Sequence, residues 1–172
     1  MLEKDMARIR SATIEDLANL RNSEIQIWES LRQWLPDSFV NPNTDFIQRP
    51  EYLQNWQQQL QNKEVIYLLA EEDQQIIGLA TGRVREGGVG ILGFLGVRKE
   101  HRKTGVGSAL LKTFLEEAKK RKAHKVWLFT SPSLHPAIRL YVEEGFVPEG
   151  YMRRHSYGLD LIIYSKFLEE QR

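Results

Sequence analysis

A chain of 172 residues has room for one sizeable core, and a single domain is expected. Its 24 lysines and arginines against 23 aspartates and glutamates leave a formal net charge of +1, so composition gives no reason to expect nucleic acid as a partner. The absence of cysteine excludes disulfides, thiolate metal sites and a cysteine nucleophile, and no metal centre is expected.

The first residues, MLEKDMARIR, lack the apolar core of a signal peptide. No apolar run reaches the roughly 20 residues that span a bilayer, so a cytoplasmic protein without membrane contact is the expectation. Ala7 to Ala12 reads as a short first strand. Thr13 with Asp16 three residues later forms a capping-box pattern that starts a helix. That helix should run through Ile25, Ile27, Trp28, Leu31 and Leu35 until Pro36 interrupts it. From Pro36 to Pro50, three prolines with Asn and Asp predict a loop, long enough to serve in binding. Glu51 to Gln61 returns to helical spacing, with Tyr52, Leu53, Trp56 and Leu60 on its apolar side.

Val65 to Ala70 and Ile76 to Val84 flank the turn EEDQQ as a β-hairpin. Gly87 and Gly88 then turn the chain into a third antiparallel strand. Gly78 and Gly82 inside the second strand mark bulges, the close approach of another group, or simple tight packing.

The stretch Leu92 to Leu111, LGFLGVRKEHRKTGVGSALL, organises the rest. Ile91 to Val97 suits a strand buried on both faces, and Arg98 to Lys103 are almost all charged. Gly105-Val106-Gly107-Ser108 opens a helix with Val106, Leu110, Leu111, Phe114, Leu115 and Ala118 at helical spacing. A helix start exposes unpaired N–H groups and the positive dipole end, and glycines let an anion approach the backbone. Arg102 and Lys103 add charge at the same place. Glycine and lysine alone describe a tight strand-to-helix turn equally well. Spacing discriminates further: no glycine is followed by Lys-Ser or Lys-Thr, and Leu110 stands where a dinucleotide fingerprint needs its third glycine. What remains is R-x-x-G-x-G, from Arg102 through Gly105 to Gly107.

The helix ends in KKRKAH, where positive charge complements the dipole. Lys125 to Thr130 is a short buried strand. In SPSLHPAIRLYVEEGF, Pro136 suits a helix start and Gly145 a helix stop. Phe146 to Arg154 and Leu159 to Leu168 form two last strands around HSYGLD, followed by a polar tail from Glu169.

R-x-x-G-x-G after an apolar strand resembles the acetyl-CoA signature of the GCN5-related N-acetyltransferase (GNAT) family. The resemblance implies a single-domain α/β fold with a mixed, largely antiparallel central sheet and helices on both faces. It implies that the turn with Arg102, Lys103, Gly105, Val106, Gly107 and Ser108 takes the pyrophosphate of acetyl-CoA, while backbone groups of Leu95 and Val97 hold the pantetheine arm. The cofactor would lie where the strand ending near Val97 diverges from the strand at Lys125. RIRSATIEDLANL resembles the family's opening. Ala137, Ile138, Tyr141, Gly145 and Phe146 match a second motif, with Leu134 standing where the family usually has asparagine and Ser133 or His135 nearby. The tyrosine position implies Tyr141 as general acid for the departing thiolate.

The chemistry needs a base as well, because a free alkylamine has a pKa near ~10 and must be neutral to attack. Family members often keep an acid on the strand before the cradle, but Ile91 to Val97 contains none. Glu24, Glu86, His155, Asp160 and ordered water stay open. By resemblance the closing hairpin borders the acceptor pocket, so His155, Tyr157 and Asp160 are expected near substrate. Trp28, Trp34, Phe39, Phe46, Tyr52 and Trp56 supply faces for an apolar or cationic acceptor, or simply core. The function implied is transfer of acetyl from acetyl-CoA to a primary amine of a small molecule or peptide, with a homodimer expected from the family. A non-catalytic acyl-CoA-binding or sensor module is the alternative, and a phosphate- or nucleotide-binding domain fits the cradle but not its spacing.

Overall fold

The computed structural model describes residues 7–168. The start of the signal-peptide reading and the polar tail from Glu169 lie outside the described residues. Strand β1 (Arg8–Ser11) leads through one 3-10 turn into helix α1 (Leu17–Glu29). The capping pattern forms: the Thr13 N–H donates to Asp16 Oδ2 at 2.7 Å. Asp16 also takes Arg10 Nη2 at 2.6 Å, while Arg10 Nε donates to Glu71 at 2.8 Å. One guanidinium thus joins β1, the start of α1 and the neighbouring strand, and it holds the Asp16 carboxyl below its usual range.

The expected loop between Pro36 and Pro50 is instead helix α2 (Asp37–Gln48), with Pro42 inside it. Each proline occupies a tolerant place. Pro36 and Pro50 sit just before helices, and Pro42 lies in the second turn, where the carbonyl it leaves unpaired belongs to exposed Ser38. A mid-helix proline costs about 3 kcal/mol. Burial of Val40 and Ile47, on one face with Thr44, offsets that at about 1.5–3 kcal/mol for each large aliphatic side chain. Three prolines masked the spacing of those residues. Helix α3 (Glu51–Gln61) follows as expected.

Strands β2 (Val65–Glu72), β3 (Gln75–Arg85) and β4 (Val89–Val97) form the antiparallel meander. After a 3-10 turn come α4 (Val106–Lys120), β5 (Lys125–Thr130), α5 (His135–Glu143), β6 (Val147–Met152) and β7 (Leu161–Phe167). The sheet order is β1-β2-β3-β4-β5-β7-β6, and among these strands β4 and β5 form the parallel pair. Strand alternation sends side chains into two cores. Ile66, Leu68 and Ala70 join Leu110, Leu111 and Phe114 of α4 on one face. Leu69 joins Leu20 and Ile27 of α1 and Trp56 of α3 on the other. Helices therefore cover both faces. At the end of α4, Arg121 bonds the carbonyls of Lys63 and Val65 at 2.7 and 2.8 Å, a structural use of that basic segment.

Two contacts fix β4. Register passes from Thr81↔Phe94 to Gly82↔Leu92, so Gly93 is an inserted residue that bends the strand. Gly82 faces this bulge so closely that a Cβ there would lie 2.1 Å from the Ile91 carbonyl oxygen and 2.6 Å from Phe114. Beyond the strand, Arg102 folds back: Nε donates to the Val97 carbonyl at 3.0 Å, Nη2 donates to Ser30 Oγ, and the guanidinium lies 5.5 Å from the Trp34 ring centre.

Gly82→Ala should lower stability by about 1–3 kcal/mol, read as a lower urea midpoint, because neither backbone nor ring can withdraw. Arg102→Ala should cost a similar ~1–3 kcal/mol by the same measurement, and Arg102→Lys should recover little of it, since a single ammonium cannot span both acceptors.

Candidate functional site

The parallel pairing of β4 with β5 holds only for Val89–Ile91 against Lys125–Trp127. Beyond it β5 stays with β7, paired as far as Thr130↔Ile162, while β4 stays with β3. The sheet opens between them. The Arg98 N–H donates to Ile77 O at 2.8 Å, so in an antiparallel ladder the alternate residues Leu95 and Val97 turn their N–H and C=O groups away from β3, into the opening. Of these, the Val97 carbonyl already accepts from Arg102.

At the end of β4 stands the start of α4. Gly105 takes a left-handed φ of +89°, a conformation glycine adopts without strain. The first N–H returned within the helix is that of Ala109, to Gly105 O at 2.9 Å, so those of Val106, Gly107 and Ser108 have no intrahelical acceptor. No side chain caps them and no acid lies in the first turn, leaving the positive end of a 15-residue helix unneutralised by its own residues. The two basic residues differ here. Arg102 is turned inward on Val97, Ser30 and Trp34, whereas the exposed Lys103, at φ +62°, is free to meet an anion. The Ser108 hydroxyl donates to Glu144 at 2.6 Å, which leaves its backbone N–H as the group it can offer.

That bond and a close approach of Leu140, whose Cδ2 is 3.4 Å from where a Gly107 Cβ would stand, set α5 alongside the start of α4. Tyr141, the next residue, is buried against Phe146 with ring centres 5.9 Å apart. Burial pushes its hydroxyl up to about 12. Gly145, at φ +85°, ends α5 as expected. Leu134 stands at the N-cap of α5 and packs against the core under α1 to α3.

On that second face lies a pocket of about 650 Å3 between α1, α2, α3 and the bulged strands. Of the six aromatic residues singled out in the sequence, all but Trp34 line it. Trp28 stacks on Phe94 at 4.9 Å, and Phe39 meets Tyr157 edge to face at 5.8 Å, closing one side. Among the residues considered as base, Glu24 lines this pocket and the others do not. Its carboxylate accepts the Tyr52 hydroxyl, and burial pushes it above the usual carboxylate range while the Tyr52 bond pulls the other way. Glu86 lies exposed at the β3–β4 turn. His155 meets Ser156 at 3.0 Å, and Asp160 is committed to the Tyr151 hydroxyl of β6 at 2.6 Å and the Arg154 N–H at 2.8 Å, both within the closing hairpin. Tyr141 belongs to the α4 face and does not line the pocket.

Sequence reasoning missed Tyr67, Phe94, Arg83 and Phe129 as pocket lining. Strand alternation was the available signal for Tyr67, which points opposite to Ile66 and Leu68. The bulge at Gly93 that sets Phe94 against Trp28 left no mark in the pattern. Among the described residues no cluster of His, Cys, Asp or Glu could hold a metal ion, and no helix is long and apolar enough to cross a membrane.

Comparison with known proteins agrees with this architecture. The family model described as Acetyltransferase (GNAT) family matches residues 28–146. Among solved structures, the PaiA N-acetyltransferase of Thermoplasma acidophilum, in complex with coenzyme A, is 18% identical with a TM-score of 0.78, covering 94% of this chain and 98% of its own. A ribosomal-protein-alanine N-acetyltransferase from Brucella melitensis is 25% identical with a TM-score of 0.74, covering 93% and 99%. A GNAT acetyltransferase from Streptococcus pneumoniae is 24% identical with a TM-score of 0.76, covering 94% and 98%. With over half of its length matched by the family model, and with the split sheet and uncapped helix described above, this chain belongs to the GNAT family, enzymes that move an acetyl group from acetyl-CoA to an amine.

Proposed function

We propose that this chain, acting as one acetyltransferase domain, acetylates a primary amine of a small molecule or peptide by direct attack on the bound acetyl donor. The observation that carries the reading is the opening between β4 and β5, which lies between an uncapped helix start and the aromatic pocket. The residues present fit the donor. Leu95 and Val97 offer backbone groups to the amides of the pantetheine arm along the free edge of β4. The N–H groups of Val106, Gly107 and Ser108 offer donors to a pyrophosphate, with Lys103 adding charge and Gly105 the turn that frees them. Arg102 contributes by holding Val97 and the turn in place rather than by touching phosphate.

Acetyl-CoA supplies a thioester carbonyl open to attack by an amine. The chain supplies orientation and proton transfer. Tyr141, kept protonated by its burial, serves as the acid that gives a proton to the departing sulfur. The aromatic walls around Trp28 and Phe94 exclude water from the acceptor and attract a cationic group to their faces.

Titration calorimetry with acetyl-CoA, with ATP and NAD as controls, tests the reading first: saturable binding of acetyl-CoA alone is expected. Gly107→Asp should abolish that binding while circular dichroism shows the fold retained, because it adds a negative charge among the uncapped N–H groups. Unchanged affinity would remove the cradle assignment. Tyr141→Phe should lower kcat about 100-fold with acetyl-CoA affinity unchanged, the size of effect typical of a lost general acid. Equal turnover in the two proteins would make Tyr141 a packing residue.

A further inference from the structure

The pocket contains one acid without a counter-ion, and the proton steps above leave the acceptor's own proton unassigned. Glu24 projects from α1 one turn before Trp28, on the same helical face. It is half-buried and lines the pocket. From α3 comes the Tyr52 hydroxyl, which donates to it, and from β2 comes Tyr67; burial and the nearby carboxylate raise both tyrosines, so both stay neutral. The nearest cation on α1 is Arg21, but its Nε and Nη2 donate to the carbonyls of Ile47 and Arg49 at 2.9 and 3.0 Å. Its guanidinium lies 5.7 Å from the Tyr52 ring centre and makes no salt bridge to Glu24. Arg83 and Arg85 line the pocket from β3, and Tyr157 from the closing turn. No salt bridge to Glu24 forms among the described residues.

A carboxylate set in an aromatic pocket with a single hydroxyl donor is under-satisfied, and a buried charge is stable only with a partner. The partner that fits is an ammonium group. An acceptor with a primary ammonium on a slender apolar body would answer both the carboxylate and the rings.

Resting on the acetyltransferase reading, we propose that Glu24 receives the acceptor's ammonium and takes its proton, with Tyr52 as the residue that positions the carboxylate. One N–H bond of the ammonium breaks as an O–H bond forms on Glu24, and the electron pair left on nitrogen is the nucleophile. Over the whole reaction an ammonium and a thioester give an amide, a thiol and one proton, which Glu24 releases to water before the next turnover. The base thus comes from α1, which explains how β4 works without a carboxylate.

The direction of the pH response follows. Glu24 must be ionised to accept a proton, so kcat/KM should rise with pH through its pKa, above the ordinary carboxylate range because burial favours the neutral form. The Tyr52 hydroxyl favours the ionised form, so Tyr52→Phe should move this rising limb to higher pH while keeping it.

The experiment compares wild type, Glu24→Gln and Tyr52→Phe. Thiol release from acetyl-CoA is followed with n-butylamine, 1,5-diaminopentane, tyramine and a free-amino-terminal tetrapeptide as acceptors, and acetyl-CoA affinity is measured by calorimetry in each protein. Glu24→Gln should lower kcat about 100-fold and erase the rising limb, with acetyl-CoA affinity unchanged. The same turnover and the same pH profile in Glu24→Gln would overturn the proposal. As a readout independent of turnover, n-butylammonium should quench the fluorescence of Trp28 and Trp56 saturably in wild type and not in Glu24→Gln, while n-butanol should do so in neither. Equal binding in both proteins, or no ammonium binding in wild type, would overturn it. Failure of wild type to bind acetyl-CoA would instead strike the acetyltransferase reading itself, so the two failures are distinguishable.

Discussion

A strand buried in a sheet must pair its backbone on both sides, and β4 does so for only part of its length. Val89 to Ile91 are held by β3 and β5 together, and from there to Val97 the strand has β3 alone. From Gly93 to Val97 the strand is half-buried or exposed, so its free edge in the middle of a seven-stranded sheet is reachable and can pair with an extended ligand backbone. The protein maintains the opening rather than closing it. β5 is fully engaged by β7 on its other side, the Gly93 bulge bends β4, and Arg102 ties the Val97 carbonyl to Ser30 of the segment after α1.

The second consequence of that opening is the position of α1. At Gly96 a Cβ would stand 2.5 Å from Ile27 Cγ2, so the missing side chain lets α1 lie directly on β4. Close approach brings Trp28 onto Phe94, and one turn earlier it carries Glu24 over the same end of the pocket. A single glycine on the strand thereby sets where an acid on the helix can reach. Ser23 Oγ, donating to the Ile76 carbonyl at 2.9 Å, pins the same helix against β3.

Much of the fold was legible because its signals are local. Alternation and turn residues found the β2–β3–β4 meander, and the glycines with the apolar spacing from Val106 to Ala118 found α4. Helix α2 was illegible because proline content is a local signal too, while burial of Val40 and Ile47, the interaction that overrules it, is a tertiary one. The site divides the same way. A helix start after a strand can be read from Arg102 to Ser108, but that the Arg102 side chain faces inward depends on Ser30 and Trp34, some 70 residues away in sequence. Likewise Glu24 was one acid among several until α3 brought Tyr52 to it across 28 positions.

Family membership accounts for the donor side of this protein more fully than for the acceptor side. The opening, the uncapped helix and the tyrosine-bearing α5 all sit on or beside β4, β5 and α4, where the sheet dictates geometry. The pocket proposed for the acceptor is built largely by α1, α2 and α3, whose place on the sheet is set by side-chain packing, and one of its features runs against simple burial: a carboxylate with no salt-bridge partner among the described residues. That carboxylate adds little to stability, since a well-packed apolar residue would serve the core better. An ammonium-bearing ligand would answer that carboxylate and bring positive charge to the helix side of the split sheet, in a pocket otherwise walled by rings.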